Sequence, residues 1–393
     1  MIRVKRPRVV VLVVIALVSA ACSVASAPSG SAGVSTPSAP TATTLATNGA
    51  ATPAATPEPT PTPTPEIAFR ALDLPADYSR GEAEAIDGTT AVGWVQVGIN
   101  DEQPAVWDTT TGALRVLDVP SEFVHPNGDT FVRLVGVSGT TAVGTGVLGT
   151  GGKRGQDRAM AWDPQTGDLR TLDIPTDFAR AEAHAISGTT VVGQVWTTQG
   201  EVGAAVAWDT ETGAVRSLEM PAGYDCGDPR AISGDTIVGI LCAGEEALPL
   251  IWSPLTADAR DLDLLPATRD GVPWAVDGTS AVGWCCIGEE GTPRPLIWDT
   301  GTGSVRQLAL PAPFVNGKAV GVSGTVVVGS ADFKPMLWDL ETGEVGVLPA
   351  PDGYNYQYGA KAVSGRTIVG SACPPPPSSS ENPRCVAAAW TLP

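Results

Sequence analysis

The sequence predicts an all-β fold made of seven four-stranded antiparallel repeats, and three observations predict it. A Val-Gly pair ends a short apolar run seven times, at Gly93, Gly144, Gly193, Gly239, Gly283, Gly329 and Gly370. A tryptophan follows each pair, at Trp107, Trp162, Trp208, Trp252, Trp298, Trp338 and Trp390. The period is roughly 40–55 residues, which is typical of four short strands per blade of a β-propeller.

The third repeat illustrates the unit. Its first strand, Ala183 to Ile186, is rich in small residues and leads through a Ser-Gly turn into Thr190 to Val195. A third strand ends at Trp208-Asp209. Small residues suit the crowded centre of a ring, whereas β-branched residues and Trp208 fill the wider space between neighbouring sheets. Both faces of each sheet are therefore expected to be buried.

Two further signals mark the ends of each repeat. An Asp-x-x-Thr-Gly turn follows five of the tryptophans, whereas Ser253 and Thr391 depart from it. A Leu-x-x-Pro-like string follows six of them, but Trp390 is followed only by Thr391-Leu392-Pro393. The missing string lies ahead of the first repeat, at Phe69 to Pro75. The sequence therefore predicts a seven-bladed β-propeller closed by an N-terminal outer strand.

The run Ala-Ile-Ser-Gly-x-x-Val-Val-Gly at 185–193, with the later Trp and Leu, resembles the HAF family of extracellular repeats. The resemblance covers Ile67 to Pro393. The repeats are also similar to Trp-Asp repeat propellers, although the Gly-His element of that family is absent. Both resemblances imply a binding scaffold and supply no catalytic residue. Propellers of quinone-dependent dehydrogenases carry a Trp after the turn, whereas here Trp precedes it, so no cofactor is expected.

The first part of the chain indicates export. Residues 1–21 combine basic residues with a short apolar run, which predicts a signal peptide rather than a membrane span. The small residues before Cys22 resemble a bacterial lipobox, which implies lipidation of Cys22; cleavage near Ala25 or Ala27 is the alternative. Residues 22–66 are rich in Ala, Thr and Pro and predict a disordered stalk. The propeller is expected to span 67–393, lipid-anchored on the outer face of the bacterial cytoplasmic membrane or secreted.

The six cysteines after Cys22 suit an oxidising compartment. Two pairs lie across predicted hairpins or loops, and we expect the disulfides Cys226–Cys242 and Cys373–Cys385. The adjacent Cys285 and Cys286 form either a vicinal disulfide or two buried thiols. No metal site is predicted, because no Cys-x-x-Cys pair or His cluster is present.

The formal net charge is −18. A field of this sign repels phosphate backbones and anionic headgroups, which argues against nucleic-acid binding. Membrane contact is therefore expected only through a lipid anchor at Cys22. We expect a monomer.

The candidate site is the propeller face where loops between fourth and first strands meet loops between second and third strands. The residues that enter the first strands differ from repeat to repeat. The candidate binding residues are Glu82, Glu84, His125, Arg133, Glu182, His184, Asp228, Arg230, Trp274, Lys318, Tyr356 and Lys361. Such a rim suits a sugar, a peptide or a wall polymer. Asp101-Glu102 and Glu289-Glu290 lack the spacing of a calcium loop.

Two functions follow from this reading. The first is a cell-surface propeller that acts as a noncatalytic scaffold for an extracellular protein, peptide or glycan, so we expect it not to be an enzyme. The alternative is an extracellular hydrolase or lyase that acts on a glycan or wall polymer through the charged rim. A carboxylate pair such as Glu82 with Glu182 performs acid–base hydrolysis when the groups lie about 5–10 Å apart.

Overall fold

Antiparallel β-sheets make up the computed structural model of the protein. It describes residues 66–393 except 99, 150–156, 198–202, 225, 244–245, 257, 267, 288–290, 350–351, 355–356 and 377–382. The predicted signal peptide, Cys22 and almost all of the predicted stalk lie outside the described residues. One short 3-10 turn, Ser121–Phe123, is the helical element of the described part. No helix within it has the length and apolarity needed to span a membrane.

The strands follow one another in the order of the sequence repeats. They are β1 Ala68–Ala71, β2 Arg80–Asp87, β3 Thr90–Val97, β4 Asp101–Asp108, β5 Leu114–Val116, β6 Val132–Ser138, β7 Thr141–Val147, β8 Asp157–Trp162, β9 Leu169–Thr171, β10 Arg180–Ser187, β11 Thr190–Trp196, β12 Gly203–Asp209, β13 Val215–Ser217, β14 Cys226–Ser233, β15 Thr236–Ala243, β16 Glu246–Trp252, β17 Ala259–Asp261, β18 Val272–Asp277, β19 Ser280–Ile287, β20 Thr292–Asp299, β21 Val305–Gln307, β22 Gly317–Ser323, β23 Val326–Ala331, β24 Lys334–Asp339, β25 Val345–Val347, β26 Gln357–Ser364, β27 Thr367–Cys373 and β28 Val386–Thr391.

The predicted all-β class and the four-stranded antiparallel units are confirmed. Most sheets follow chain order, as in β2-β3-β4-β5. A single parallel bridge, Gly203 with Cys226, links the third and fourth units into an eight-stranded sheet. The remaining sheet has the order β1-β28-β27-β26, with Phe69 opposite Trp390. None of the sheets found among the described residues closes on itself.

The seven third-strand tryptophans are the largest fully buried side chains of the core. Six of them donate an indole hydrogen bond to the carbonyl that follows the Leu of the preceding string. An example is Trp107 Nε1 to Asp73 O at 3.0 Å, and Trp208 bonds Asp173 O at 2.7 Å. Trp162 is the exception, because its buried Nε1 has no hydrogen-bond partner within the described part of the chain. The tryptophan and the Leu string thus join successive repeats.

The recurring Val-Gly glycine makes room for a β-bulge. Every pairing of a first with a second strand shifts register at the same place, as between Ala183 and Ala185. A Cβ built at Gly193 would overlap the carbonyl oxygen of Glu182, and the equivalent glycines are equally crowded. Only glycine allows this close approach of two backbones. The bulge leaves one first-strand residue unpaired in each repeat, such as His184.

Hydrogen bonds also join the turns between first and second strands. Each turn glycine donates its N–H to a Ser or Asp side chain of the preceding repeat. The pairs are Gly139–Asp87, Gly188–Ser138, Gly234–Ser187, Gly278–Ser233, Gly324–Asp277, Gly365–Ser323 and Gly88–Ser364, at 2.7–3.3 Å. The last pair joins the first repeat to the seventh. β2 also packs against β26, β27 and β28.

An arginine on several fourth strands reaches the following repeat. Arg115 donates to Pro164 O at 3.0 Å and to Thr166 O at 3.1 Å, in the Asp-x-x-Thr-Gly turn of the next repeat. Arg70 and Arg260 make similar bonds to Thr111 O and Gly301 O. These side chains therefore help to hold adjacent repeats together, a role that the sequence reading missed.

Replacing Arg115 with Met is expected to lower the free energy of unfolding by about 1 kcal/mol, because partly exposed turn carbonyls lose their donor. Urea unfolding followed by tryptophan fluorescence measures the effect. Arg170→Met is the matched control, since Arg170 occupies the same position on β9 and makes no side-chain hydrogen bond in the described structure. Equal losses in both variants would contradict this role.

Both predicted disulfides, Cys226–Cys242 and Cys373–Cys385, are present. Cys285 and Cys286 are thiols rather than a vicinal disulfide. Burial, reinforced by the nearby Asp270 carboxylate, raises the pKa of Cys285 to about 11 and also raises the pKa of Cys286. Both thiols stay protonated near neutral pH and are poor nucleophiles.

Candidate functional site

Ten of the twelve candidate residues occupy only two positions of the repeat, the bulge residue and the residue two places before it. We call these ten side chains the bulge belt: Glu82, Glu84, Arg133, Glu182, His184, Asp228, Arg230, Trp274, Lys318 and Lys361. Bulges re-aim side chains and recur beside functional sites. The same backbone feature in each repeat therefore presents a different functional group.

Lys361 of the seventh repeat contacts two acids of the first. Its Nζ lies 2.8 Å from Glu82 Oε1 and 3.3 Å from Glu84 Oε2, while Arg80 Nη2 lies 2.9 Å from Glu82 Oε2. Only 7% of the Glu82 side chain is exposed. Burial alone would raise the pKa of Glu82, but Lys361 and Arg80 outweigh it and lower that pKa. Glu82 is therefore a neutralised structural anion.

Arg133 connects the first and second repeats. Its guanidinium pairs with Glu102 and stacks on Trp94, with Cζ 4.6 Å from the ring centroid. Trp94 in turn donates Nε1–H to Glu84 Oε1 at 3.2 Å. A guanidinium over an indole face is a favourable cation–π arrangement. The charged and polar groups around Arg133 therefore find their partners within the protein.

His184 lies between acids of the third and fourth repeats. Its Nδ1 is 2.8 Å from Pro229 O and 3.2 Å from Asp228 Oδ1, and Nε2 is 3.8 Å from Glu182 Oε2. Arg230 Nη2 pairs with Asp228 Oδ2 at 2.5 Å. Burial alone would lower the pKa of His184, but Asp228 and Glu182 outweigh it and raise that pKa to about 9. His184 is therefore a cation at neutral pH.

The raised pKa of His184 predicts a loss of stability at alkaline pH. A histidine with an ordinary pKa near 6.5 in the unfolded chain contributes fully below that value and loses its contribution as pH rises through about 9. The difference in unfolding free energy between wild type and His184→Gln should shrink over this range, by at most about 3 kcal/mol. Urea unfolding between about pH 6 and pH 10 measures it. His125→Gln is the control, since His125 forms no ion pair in the described structure, and a similar shrinkage there would contradict the assignment.

Asp157, which the sequence analysis did not single out, pairs with Arg180 and interacts electrostatically with Glu182. Arg180 Nη1 is 3.2 Å from Asp157 Oδ2, and the guanidinium stacks on Trp196 at 5.1 Å. Burial and the charge of Glu182 raise the pKa of Asp157 despite Arg180. Glu182 is the most exposed acid among these ion pairs, with 38% of its side chain accessible. A carboxyl with a raised pKa thus lies within the electrostatic reach of an accessible carboxylate.

A groove of about 540 Å³ lies in the same repeat region. Its lining combines Arg158 and Asp173 with the apolar side chains of Phe123, Ile174 and Phe178. Arg158 directly follows Asp157 on β8 and donates to Ala179 O at 2.9 Å. The groove therefore adjoins the strands that carry Asp157 and Glu182.

The structure places the other candidate groups as follows. Lys361 and Arg80 pair with Glu82, which leaves it without a free carboxylate for the acid–base role considered for Glu82 with Glu182, whereas Asp157 interacts electrostatically with Glu182. His125 lies outside the belt, with its ring 5.1 Å from that of Phe131. Tyr356 and Glu289-Glu290 lie outside the described residues. No group of three or more His, Cys, Asp or Glu able to hold a metal occurs in the described part of the chain.

No protein-family model matches the chain, and no curated protein matches it. Among solved structures it is similar to an oligogalacturonate lyase from Vibrio parahaemolyticus, at 11% identity and a TM-score of 0.53, covering 84% of this chain and 97% of the lyase. It is also similar to the β-propeller domain of the trilobed protease from Pyrococcus furiosus, at 10% identity and a TM-score of 0.51 (81% and 94% coverage). An acylaminoacyl peptidase gives 10% identity and a TM-score of 0.51, covering 78% of this chain and 50% of that one.

These likenesses show a propeller-type fold. They also contradict one expectation, because the oligogalacturonate lyase, which is matched over 97% of its length, is an enzyme, whereas we expected the chain not to be one. The likeness to the lyase favours the alternative of a hydrolase or lyase over the noncatalytic scaffold.

Proposed function

We propose that this protein is an extracellular hydrolase that acts on a glycan, with Asp157 as general acid and Glu182 as general base or nucleophile. The observation that carries this proposal is Asp157, whose pKa is raised by burial and by the charge of the accessible Glu182. Glycoside hydrolysis uses two carboxyl groups, of which the one with a raised pKa acts as the acid.

The reaction would proceed by cleavage of a glycosidic C–O bond. Asp157 donates its proton to the leaving oxygen as that bond breaks. Glu182 either accepts a proton from the attacking water or attacks the anomeric carbon and is released by water afterwards. Cationic His184, whose Nε2 lies 3.8 Å from Glu182 Oε2, would orient the Glu182 carboxylate. Water is consumed and one new reducing end is formed per bond.

A second candidate is β-elimination from a sugar that carries a carboxylate, and the positive charge of His184 beside Arg230 and Asp228 favours it. In this reaction Glu182 removes the proton next to the substrate carboxylate, a nearby cation stabilises the resulting charge, and Asp157 protonates the leaving oxygen. The product then contains a carbon–carbon double bond and no water is consumed.

We also propose that the seven repeats close into a seven-bladed ring whose last blade takes β1 as its outer strand. The pairing of β1 with β28 and the hydrogen bond from Gly88 N–H to Ser364 Oγ support it, because both join the start of the domain to its end. Such closure would place the bulge belt around a central opening. Export of the protein and lipidation of Cys22 remain predictions, although two disulfides fit an oxidising compartment.

The test is turnover on a panel of bacterial wall and plant glycans, with reducing ends and unsaturated products measured in parallel. We expect new reducing ends from the wild type and a loss of about 10²–10⁴ in kcat for Glu182→Gln. Glu246→Gln is the matched control, since Glu246 is an exposed acid at the start of β16 and forms no ion pair in the described structure. Unchanged turnover in Glu182→Gln, or no cleavage of any glycan, would refute the proposal.

A further inference from the structure

The fifth and sixth repeats contain the aromatic part of the bulge belt. Trp274, the bulge residue of β18, packs against Trp284 of β19 with ring centroids 5.0 Å apart and an interplanar angle of 40°. Of the seven third-strand tryptophans none is exposed, whereas Trp274 is 38% exposed. Packing in the hydrophobic core therefore does not explain why a tryptophan occupies position 274.

Two cations flank this aromatic pair. Arg230 Cζ lies 4.9 Å from the Trp274 ring centroid, and Lys318 Nζ lies 4.7 Å from that of Trp284. Arg230 is already neutralised by Asp228 at 2.5 Å. The two stacked cations hold the indole rings in place and leave part of Trp274 open to solvent.

Lys318 differs from every other cation of the belt. Arg133, Arg230, His184 and Lys361 each have a carboxylate partner. Lys318 has none among the described residues; its ammonium group lies against the Trp284 ring and acts electrostatically on the Cys286 thiol. An ammonium group beside an aromatic ring face, with no carboxylate partner in the described part of the chain, is suited to an anion supplied by a ligand.

We propose that Trp274, Trp284 and Lys318 form a subsite for a sugar ring that carries a carboxylate. The C–H face of a pyranose ring would stack on the exposed part of Trp274, and the carboxylate would pair with Lys318. This inference rests on the proposed function, since it names the substrate class of the same belt. It concerns binding in the fifth and sixth repeats, away from Asp157 and Glu182.

The experiment measures binding without turnover. The probes are the methyl glycosides of glucuronic, galacturonic and mannuronic acid, each beside its neutral hexoside, with tryptophan fluorescence and ligand-observed NMR as readouts. At least one uronide should bind about tenfold more tightly than its neutral counterpart, because only the uronide offers a charged partner to Lys318. Glu182→Gln should bind it like the wild type. If the wild type binds a uronide but cleaves no glycan, the proposed hydrolase activity is refuted and the proposed subsite is supported.

Variants separate the two contributions. Lys318→Met should weaken uronide binding about tenfold and leave hexoside binding unchanged, whereas Lys318→Arg should retain the preference. Trp274→Ala should weaken both ligands and Trp274→Phe should retain most of the binding. Leu255→Ala is the control, since Leu255 is a 70% exposed apolar side chain in a turn outside the belt. Equal affinity for uronide and hexoside, an unaffected Lys318→Met variant, or no binding of any uronide would overturn the subsite.

Discussion

Deleting residues 1–74 is expected to unfold the domain, whereas deleting residues 1–65 is expected to leave its stability unchanged. The longer deletion removes β1, the buried Leu72 and the carbonyl of Asp73 that accepts the Trp107 indole N–H. Losing a buried leucine and leaving a buried donor unpaired costs roughly 3–8 kcal/mol together. This is comparable with the whole stability of a typical domain, about 5–15 kcal/mol.

Circular dichroism and urea unfolding of the two truncated proteins test this expectation. The shorter deletion is the matched control, because the two proteins differ only in nine residues around β1. Exposure of the β28 edge should also promote association, which size-exclusion chromatography detects. If the longer deletion unfolds cooperatively at the same urea concentration as the wild type, the pairing of β1 with β28 does not contribute to stability.

Replacing Asp157 with Asn is expected to lower kcat by about 10²–10⁴ and to remove the alkaline limb of the pH–rate profile. The reason is that a general acid works only while protonated, and the raised pKa of Asp157 extends that protonated range upward. The substrate affinity should change little, because a general acid acts on the leaving oxygen in the transition state rather than in the bound ground state.

The measurement is kcat and KM across the pH range on whichever glycan the wild type cleaves. Glu246→Gln is again the control and should retain the wild-type profile. If Asp157→Asn keeps its alkaline limb, another group is the acid. A variant that loses activity and unfolds is recognised by its circular dichroism spectrum, and Asp157→Glu, which retains the carboxyl, then decides the role.

Most residues of the bulge belt could be predicted from the sequence. Variation at a fixed position in a regular repeat identified Glu182, His184, Asp228 and Lys318, and the bulge brings such residues onto one feature of each repeat. Asp157 was missed because it begins a third strand, and the number of residues between second and third strands varies among the repeats. Aligning the repeats with one another therefore does not place Asp157 near Glu182.

The same limit explains why the sequence analysis treated Glu82 and Glu182 as interchangeable acids. The residue types are identical and occupy equivalent positions, so the sequence offers no basis for separating them. Their neighbours across the repeat boundary differ, since Lys361 neutralises Glu82 whereas Glu182 remains accessible. The electrostatic role of each acid is decided by which repeat packs against it.

The amino-acid sequence by itself determined the all-β class, the four-strand repeat, the two disulfides and the positions where functional side chains vary. These follow from local chemistry, since a turn glycine, a buried tryptophan or a pair of cysteines acts over a few residues of its own repeat. Only the tertiary structure decided which acids are neutralised, why His184 is a cation and why Lys318 has no carboxylate partner among the described residues. Those properties arise between side chains far apart in the chain, whose separation depends on the packing of one repeat against the next.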